Sequence, residues 1–288
     1  MTKTQHPKVE LFDTHAHLDM IDLCCKNKAW GEKGGFLDRF PQGVEYRNDF
    51  IVQNDFQMAG IVVPGITLES SRQSVQFAQN SNLLYAAVGI HPNSTGKANR
   101  NDWAEIIELS NKACVAAIGE TGLDRYWDTV PYKIQLQYFE LHLDLARERG
   151  LPVIVHSRDC DDDMLAILGN LAKESQIFGV IHSFSSAPAV AQRYLDMGLS
   201  ISFSGAVTYT NKKFSPLREA AKIVSDDRLL IETDSPFLTP HPYRGKLDNN
   251  MPMMTAYTAK TLAELRGTTI EHIAAVTTVN AQKIFRKK

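Results

Sequence analysis

"LPVIVHS", Leu151 to Ser157, sets Val153, Ile154 and Val155 in a short apolar run that ends on a histidine. The stretch before it, Tyr132 to Arg149, carries Leu136, Phe139, Leu143 and Ala146 on one helical stripe. A helix followed by a short β-branched run is half of a βα repeat, and the same alternation recurs along the chain. Seven further runs match it: Val9 to Phe12, "GIVVPGI" (Gly60 to Ile66), "LLYAAVGI" (Leu83 to Ile90), "ACVAAIGE" (Ala113 to Glu120), "FGVIHSF" (Phe178 to Phe184), "LSISFSG" (Leu199 to Gly205) and "LLIETDS" (Leu229 to Ser235). Ala187 to Met197 supplies another stripe through Val190, Tyr194 and Leu195. "TTIE", Thr268 to Glu271, reads as a capping box opening a C-terminal helix, one of three after the last strand. Eight strands alternating with helices predict a (β/α)8 TIM-type barrel, although a doubly wound open sheet would leave similar runs.

No linker, repeat or low-complexity segment divides the 288 residues, so one domain over residues 1–288 is expected. The irregular interval is Met20 to Gly60, longer than the roughly 2 to 6 residues of an ordinary βα loop. In a barrel it would hang over the C-terminal mouth. A net charge of −2 gives no field that would draw in a polyanion, so any nucleic acid must be held locally. "MTKTQHPKVE" has no apolar signal core, and no later stretch approaches the ~18 to 20 apolar residues that span a bilayer. A soluble, cytoplasmic protein is expected. Cys24, Cys25, Cys114 and Cys160 show no CxxC spacing, which fits reduced thiols. Without coiled-coil heptads or a partner helix, a monomer is the default.

Residues of metal-ligand type stand at the ends of the expected strands. "LFDTHAHLDM", Leu11 to Met20, ends strand one with His15 and His17; His91, Glu120, His156, His182 and Asp234 end strands three, four, five, six and eight. Side chains at i and i+2 of a strand share a face, so Asp13, His15 and His17 are expected to point the same way. Each residue alone has a bland reading: a hydrogen-bonded histidine, a solvated Glu120, an Asp234 that caps a following turn. Five of the nine histidines falling at strand ends would require the same coincidence repeatedly, so a joint metal site is the better reading. His142 and His272 lie on expected helices and His6 on a tail, and none is assigned chemistry; His241, in "TPHPYRGK", is left open. "GIHPNSTGK" imitates a phosphate loop, but six residues separate its glycines and Ala98 follows Lys97, so it is rejected.

With "DTHAHLD", "VGIHP", "IGETGLD", "VIVHSRD", "IHSFS", "ETDSPF" and "PYRGK" in this order, the chain resembles the TatD family of metal-dependent hydrolases from about Leu11 to Phe285. The resemblance implies a distorted (β/α)8 barrel and metal-dependent deoxyribonuclease activity from the 3′ end. Carried over by position, it implies one metal held by His15, His17 and Asp234, a second held by His156 and His182, and Glu120 bridging the two. Departures lie near the mouth: Ser186 where the family has Gly, Asn93 where it often has His, and "RGKLDNNMP" two residues longer than usual.

Two cations roughly 3.5 to 4 Å apart can hold a hydroxide between them and supply a nucleophile at neutral pH. Asp234 is the expected general base, and Glu232 is expected to orient a ligand or to be a plain core-edge carboxylate. His91, Arg158, Arg244 and Lys246 are the expected phosphate contacts, with Arg125 weaker. Four imidazoles and two carboxylates suit Zn or Mn, and Mg stays open because family nucleases work with it. The leading expectation is a 3′-5′ exodeoxyribonuclease on single-stranded DNA, with RNA or another phosphodiester left open as substrate. The alternative is a metal-dependent esterase or amidohydrolase such as an aminoacyl-tRNA deacylase. A catalytically silent nucleic-acid-binding protein would predict a lost ligand, and all six are present.

Overall fold

The computed structural model describes residues 9–21, 56–127, 129–174, 177–247 and 249–286. Each apolar run becomes a strand: β1 Val9–Asp13, β2 Phe56–Pro64, β3 Leu84–Val88, β4 Val115–Asp124, β5 Val153–Arg158, β6 Gly179–Ile181, β7 Ser200–Phe203 and β8 Leu229–Ile231. Every strand pairs in parallel with the next in chain order. The ring closes between β8 and the residues after β1: Thr14 N donates to the Ile231 carbonyl at 3.1 Å, and Ala16 bridges Ser235 in parallel. That closure makes the sheet a (β/α)8 barrel and removes the open-sheet alternative.

The helices described are α1 Leu68–Gln79, α2 Arg100–Leu109, α3 Tyr132–Arg149, α4 Asp161–Glu174, α5 Pro188–Asp196, α6 Ser215–Ile223, α7 Thr255–Arg266 and α8 Ile270–Ile284. α3 keeps its predicted bounds and ends at Gly150, whose left-handed φ of 61° caps it. Three expectations shift. β2 starts at Phe56 rather than Gly60, because "FQMA" alternates buried and half-buried positions against β1 from Val9 onward. Two α-helices and one 3-10 turn (Pro252–Met254), rather than three helices, follow β8 among the described residues. The capping box does not form, because Thr269 is the N-cap and accepts from His272 N, leaving Glu271 one position short of reciprocating.

Strand alternation sorts the core into two layers. One face of each strand packs on the helices; from the other, Phe12, Val62, Ile154, Val180 and Leu230 join Ala281, Ile284 and Phe285 at the end of α8. Phe12 stacks on Phe285 with ring centres 6.3 Å apart. Two residues further along the same inner face stand His156 after Ile154, His182 after Val180 and Glu232 after Leu230. The barrel interior therefore changes from apolar to ionisable toward the C-terminal ends of its strands.

No helix among the described residues is long and apolar enough to cross a membrane. Cys160 is buried and its thiol donates to the Leu123 carbonyl at 3.2 Å, while Cys114 is half-buried. Cys24, Cys25, His6 and most of the Met20 to Gly60 interval lie outside the described residues.

Candidate metal centre

The side chains at the strand ends meet in one buried cluster. β1 stops at Asp13 and the chain bends, so Asp13 and the two histidines do not share a face as expected. Asp13 instead accepts from Thr233 N (2.9 Å), Thr233 Oγ1 (2.6 Å) and His15 N (3.1 Å), tying β1 to β8. The bend lets His15 and His17 converge, with their Nε2 atoms 3.2 Å apart.

Glu120 reaches the centre through a bulge. Ile118 pairs with Val153 and Thr121 with Val155, so β4 carries one residue more than β5 across this interval. Gly119 and Gly122 flank the carboxylate at φ of +140°, where side chains are strained. A Cβ on Gly119 would also stand 2.7 Å from the Ile154 carbonyl oxygen, and one on Gly122 would meet the His156 carbonyl.

The Glu120 carboxylate divides between two sets of nitrogens. Oε2 lies 3.2 Å from His15 Nε2 and 3.6 Å from His17 Nε2; Oε1 lies 3.0 Å from His156 Nδ1 and 2.9 Å from His182 Nε2. Asp234 Oδ1 stands 3.6 Å from His17 Nε2 and 3.8 Å from His15 Nε2. Asp234 holds a left-handed φ of 56°, uncommon outside glycine and tolerated by aspartate.

At His156 a hydrogen bond at the far ring nitrogen sets which nitrogen faces inward. Asp124 Oδ2 lies 3.1 Å from His156 Nε2, which leaves Nδ1 as the lone pair toward Glu120. Glu232 stands beside His182: its Oε1 accepts from Ser183 N at 2.7 Å and lies 3.3 Å from His182 Nδ1. His91 is the opposite case. Its Nδ1 accepts from Asn93 N at 3.1 Å, so the neutral ring carries its proton on Nε2, 3.5 Å from Glu120 Oε1. Burial pushes the His91 pKa down to about 3, so the ring is a neutral donor at the edge of the cluster.

Burial works against charge on Glu120, but the imidazoles of His182, His91 and His15 outweigh it and hold the carboxyl well below its usual range. Burial also opposes charge on Asp234, and the His17 contact overcomes it and holds the carboxyl below its usual range. Ligand atoms about 2.1 Å from a shared cation stand about 3.0 to 3.4 Å apart at right to tetrahedral angles. The spacings among Glu120, His156 and His182, 2.9 to 3.2 Å, match those edges, and those among Glu120, His15, His17 and Asp234, 3.2 to 3.8 Å, run up to about 0.4 Å longer. The residues present, imidazoles and carboxylates gathered on both sides of Glu120, fit divalent-metal binding.

An open cavity of about 910 Å³ lies above the cluster. Arg158 and Arg244 line it as expected, and Lys213 joins them; Lys246 is exposed and outside the lining, as is His241. Each lining cation rests on an aromatic ring: Arg158 3.8 Å from the Tyr126 ring centre, Lys213 4.9 Å from Phe214 and Arg244 3.9 Å from Tyr209. Arg125 is engaged with Asp163 at 2.7 Å and is not in the lining. Two departures from the family pattern find local partners: Ser186 Oγ donates to Asp161 at 2.9 Å and Asn93 Nδ2 to Asp124 at 3.0 Å. Sequence reasoning missed Asp124, although its even spacing from Glu120 in "GETGLD" was a usable signal.

A family model described as TatD related DNase matches residues 12–286. The chain is 38% identical over 278 residues to the uncharacterised metal-dependent hydrolase YabD of Bacillus subtilis, covering 96% of this chain and 99% of that one. It is 35% identical over 234 residues to the uncharacterised metal-dependent hydrolase TatD of Mycobacterium tuberculosis, covering 79% and 86%. The crystal structure of the TatD homologue YjjV from Escherichia coli superimposes with a TM-score of 0.80 at 28% identity, over 96% of this chain and 97% of that one. With a barrel of matching topology and relatives of this similarity along almost its whole length, the chain belongs to the TatD family of metal-dependent hydrolases.

Proposed function

We propose that this protein is a metal-dependent phosphodiesterase that shortens single-stranded DNA from its 3′ end. The observation that carries the reading is the split carboxylate of Glu120 at the floor of a cavity rimmed by Arg158, Lys213 and Arg244. Among the described residues none of these three cations is paired with a carboxylate, so their charge is available to phosphate oxygens.

His15, His17 and Asp234 would hold one divalent cation (Mg, Mn or Zn), His156 and His182 the other, with Glu120 shared. When bound, such a pair acidifies water and offsets phosphodiester charge. Asp234, on the inner face of the extension of β8, accepts the proton released by the attacking water. His91 presents its Nε2–H toward the same space and donates a hydrogen bond to a phosphate oxygen. Arg158 and Arg244 bind flanking phosphates, and Lys246 adds charge from the adjoining turn. Glu232 and Asp124 fix the ring orientations of His182 and His156.

The test strips the protein with chelator, restores Mg, Mn or Zn singly, and follows 3′-labelled single-stranded DNA beside Asp234→Asn. Metal-dependent shortening that the substitution abolishes is the expected result. Two equivalents of metal bound without DNA cleavage, and faster turnover of carboxylic esters, would overturn the nuclease reading in favour of ester hydrolysis.

A further inference from the structure

Three large apolar side chains in the cavity lining are exposed: Trp127 at 51%, Phe237 at 50% and Met20 at 36%. Trp127 is not loosely placed. Its backbone N–H donates to Asp124 Oδ1 at 3.0 Å and that of Tyr126 to the same oxygen at 2.9 Å, while Asp124 Oδ2 meets His156. One carboxylate therefore positions both an exposed indole and an imidazole of the cluster. The Tyr126 and Trp127 rings meet edge to face at 5.0 Å, and the Arg158 guanidinium covers Tyr126 and stands 5.9 Å from the Trp127 ring centre.

We propose that Trp127, braced by Tyr126 and Arg158, is the stacking platform for an unpaired nucleobase beside the scissile phosphate, and that it sets the preference for single strands. The inference rests on the reading of a nucleic acid as substrate. A half-exposed indole at a polar mouth, its backbone tied to Asp124 and its ring against Tyr126, is costly to hydrate and ready to stack. Any base offers a π-face, so such a platform is indifferent to sequence, whereas a paired terminal base already has its faces and edges engaged. Arg158 lies on the tyrosine rather than on a carboxylate, so its charge remains for the phosphate attached to the stacked base.

The experiment measures binding by fluorescence anisotropy on metal-loaded Asp234→Asn protein, which holds its oligonucleotide without consuming it. The probes are a labelled thymidine hexanucleotide and the same oligomer with abasic residues at its two 3′ positions. Adding Trp127→Ala should weaken the thymidine oligomer about tenfold, and Trp127→Phe should keep it within about threefold. The abasic oligomer should start weak and respond to neither change. Equal weakening of both oligomers, or of neither, overturns the platform. Cleavage by the unsubstituted protein is read separately. A Trp127-dependent preference for the base without shortening would retain the platform and discard the nuclease, and shortening without that preference would do the reverse.

Discussion

Asp124 Oδ2 lies 3.1 Å from His156 Nε2, and this contact decides which imidazole nitrogen meets Glu120. The same carboxylate accepts from Asn93 Nδ2, Tyr126 N and Trp127 N, so both its oxygens face donors only. Burial works against its charge, but the His156 and Trp127 hydrogen bonds hold the pKa below the usual carboxylate range. Asp124→Asn would turn an amide NH2 against one of these donors. The expected outcome is a fall of about 10- to 100-fold in metal affinity with the far-ultraviolet circular dichroism unchanged, read by calorimetric metal titration. An unchanged affinity would show that His156 is held by packing alone.

Asp234→Asn keeps the size of the side chain and removes its capacity to take a proton. Turnover at saturating metal and substrate should fall by about 10² to 10⁴. Parallel metal analysis by mass spectrometry is needed to separate a proton-transfer defect from lost metal, and full occupancy with low turnover assigns the loss to proton transfer.

Three lining cations imply few phosphate contacts. With about 0.7 counterion released per contact on a single strand, the log–log dependence of affinity on salt should have a slope near −2. A slope steeper than about −4 would reveal a long basic track and contradict the shallow footprint.

His142 is fully buried, its Nε2 accepting from Ile90 N at 2.9 Å and its Nδ1 donating to the Tyr138 carbonyl at 2.6 Å. A second proton would break the bond to Ile90, and burial pushes the pKa from 6.5 down to about 4. The unfolded chain takes up that proton at higher pH than the native one. The stability from a neutral His142 is therefore complete above about pH 6.5 and lost as pH falls through about 4. His142→Leu leaves the Ile90 N–H without a partner and should cost about 1 to 3 kcal/mol at pH 7. Urea unfolding of both proteins should show that gap closing by about 2 kcal/mol between pH 7 and pH 5. A gap independent of pH would mean that His142 binds its proton alike in both states.

Gly122→Ala places a Cβ against the His156 carbonyl at a backbone angle that alanine rarely adopts. A loss of about 3 kcal/mol or more is expected in chemical denaturation. A loss under about 1 kcal/mol would mean that β4 and β5 can separate without consequence.

The barrel was legible because each strand is a compact apolar run, and the cluster because His156, His182 and Asp234 follow the inward alternation of β5, β6 and β8. Legibility stopped where local pattern gave way to tertiary pairing. "FQMA" before Gly60 holds no β-branched residue and follows a long irregular interval, and its place in β2 shows only in its pairing with β1. Asp13 looked like a third member of the His-x-His face, but the bend after β1 turned it toward Thr233. The apolar run ended at Glu120, and "TGLD", with a glycine within it, continues β4 because its residues pair with Val155 to Arg158. Lys213, in a polar stretch before α6, carries no local sign of its place at the cavity.

The seam that closes the barrel joins Thr14 to Ile231, 217 positions apart in the chain. During synthesis His15 and His17 emerge well before their carboxylate partner Asp234 and the Phe285 that stacks on Phe12. A nascent chain therefore carries exposed imidazoles for most of its elongation without a complete cage. A chain cut before β8 lacks both Asp234 and the strand that closes the barrel on β1, so it cannot assemble the cluster.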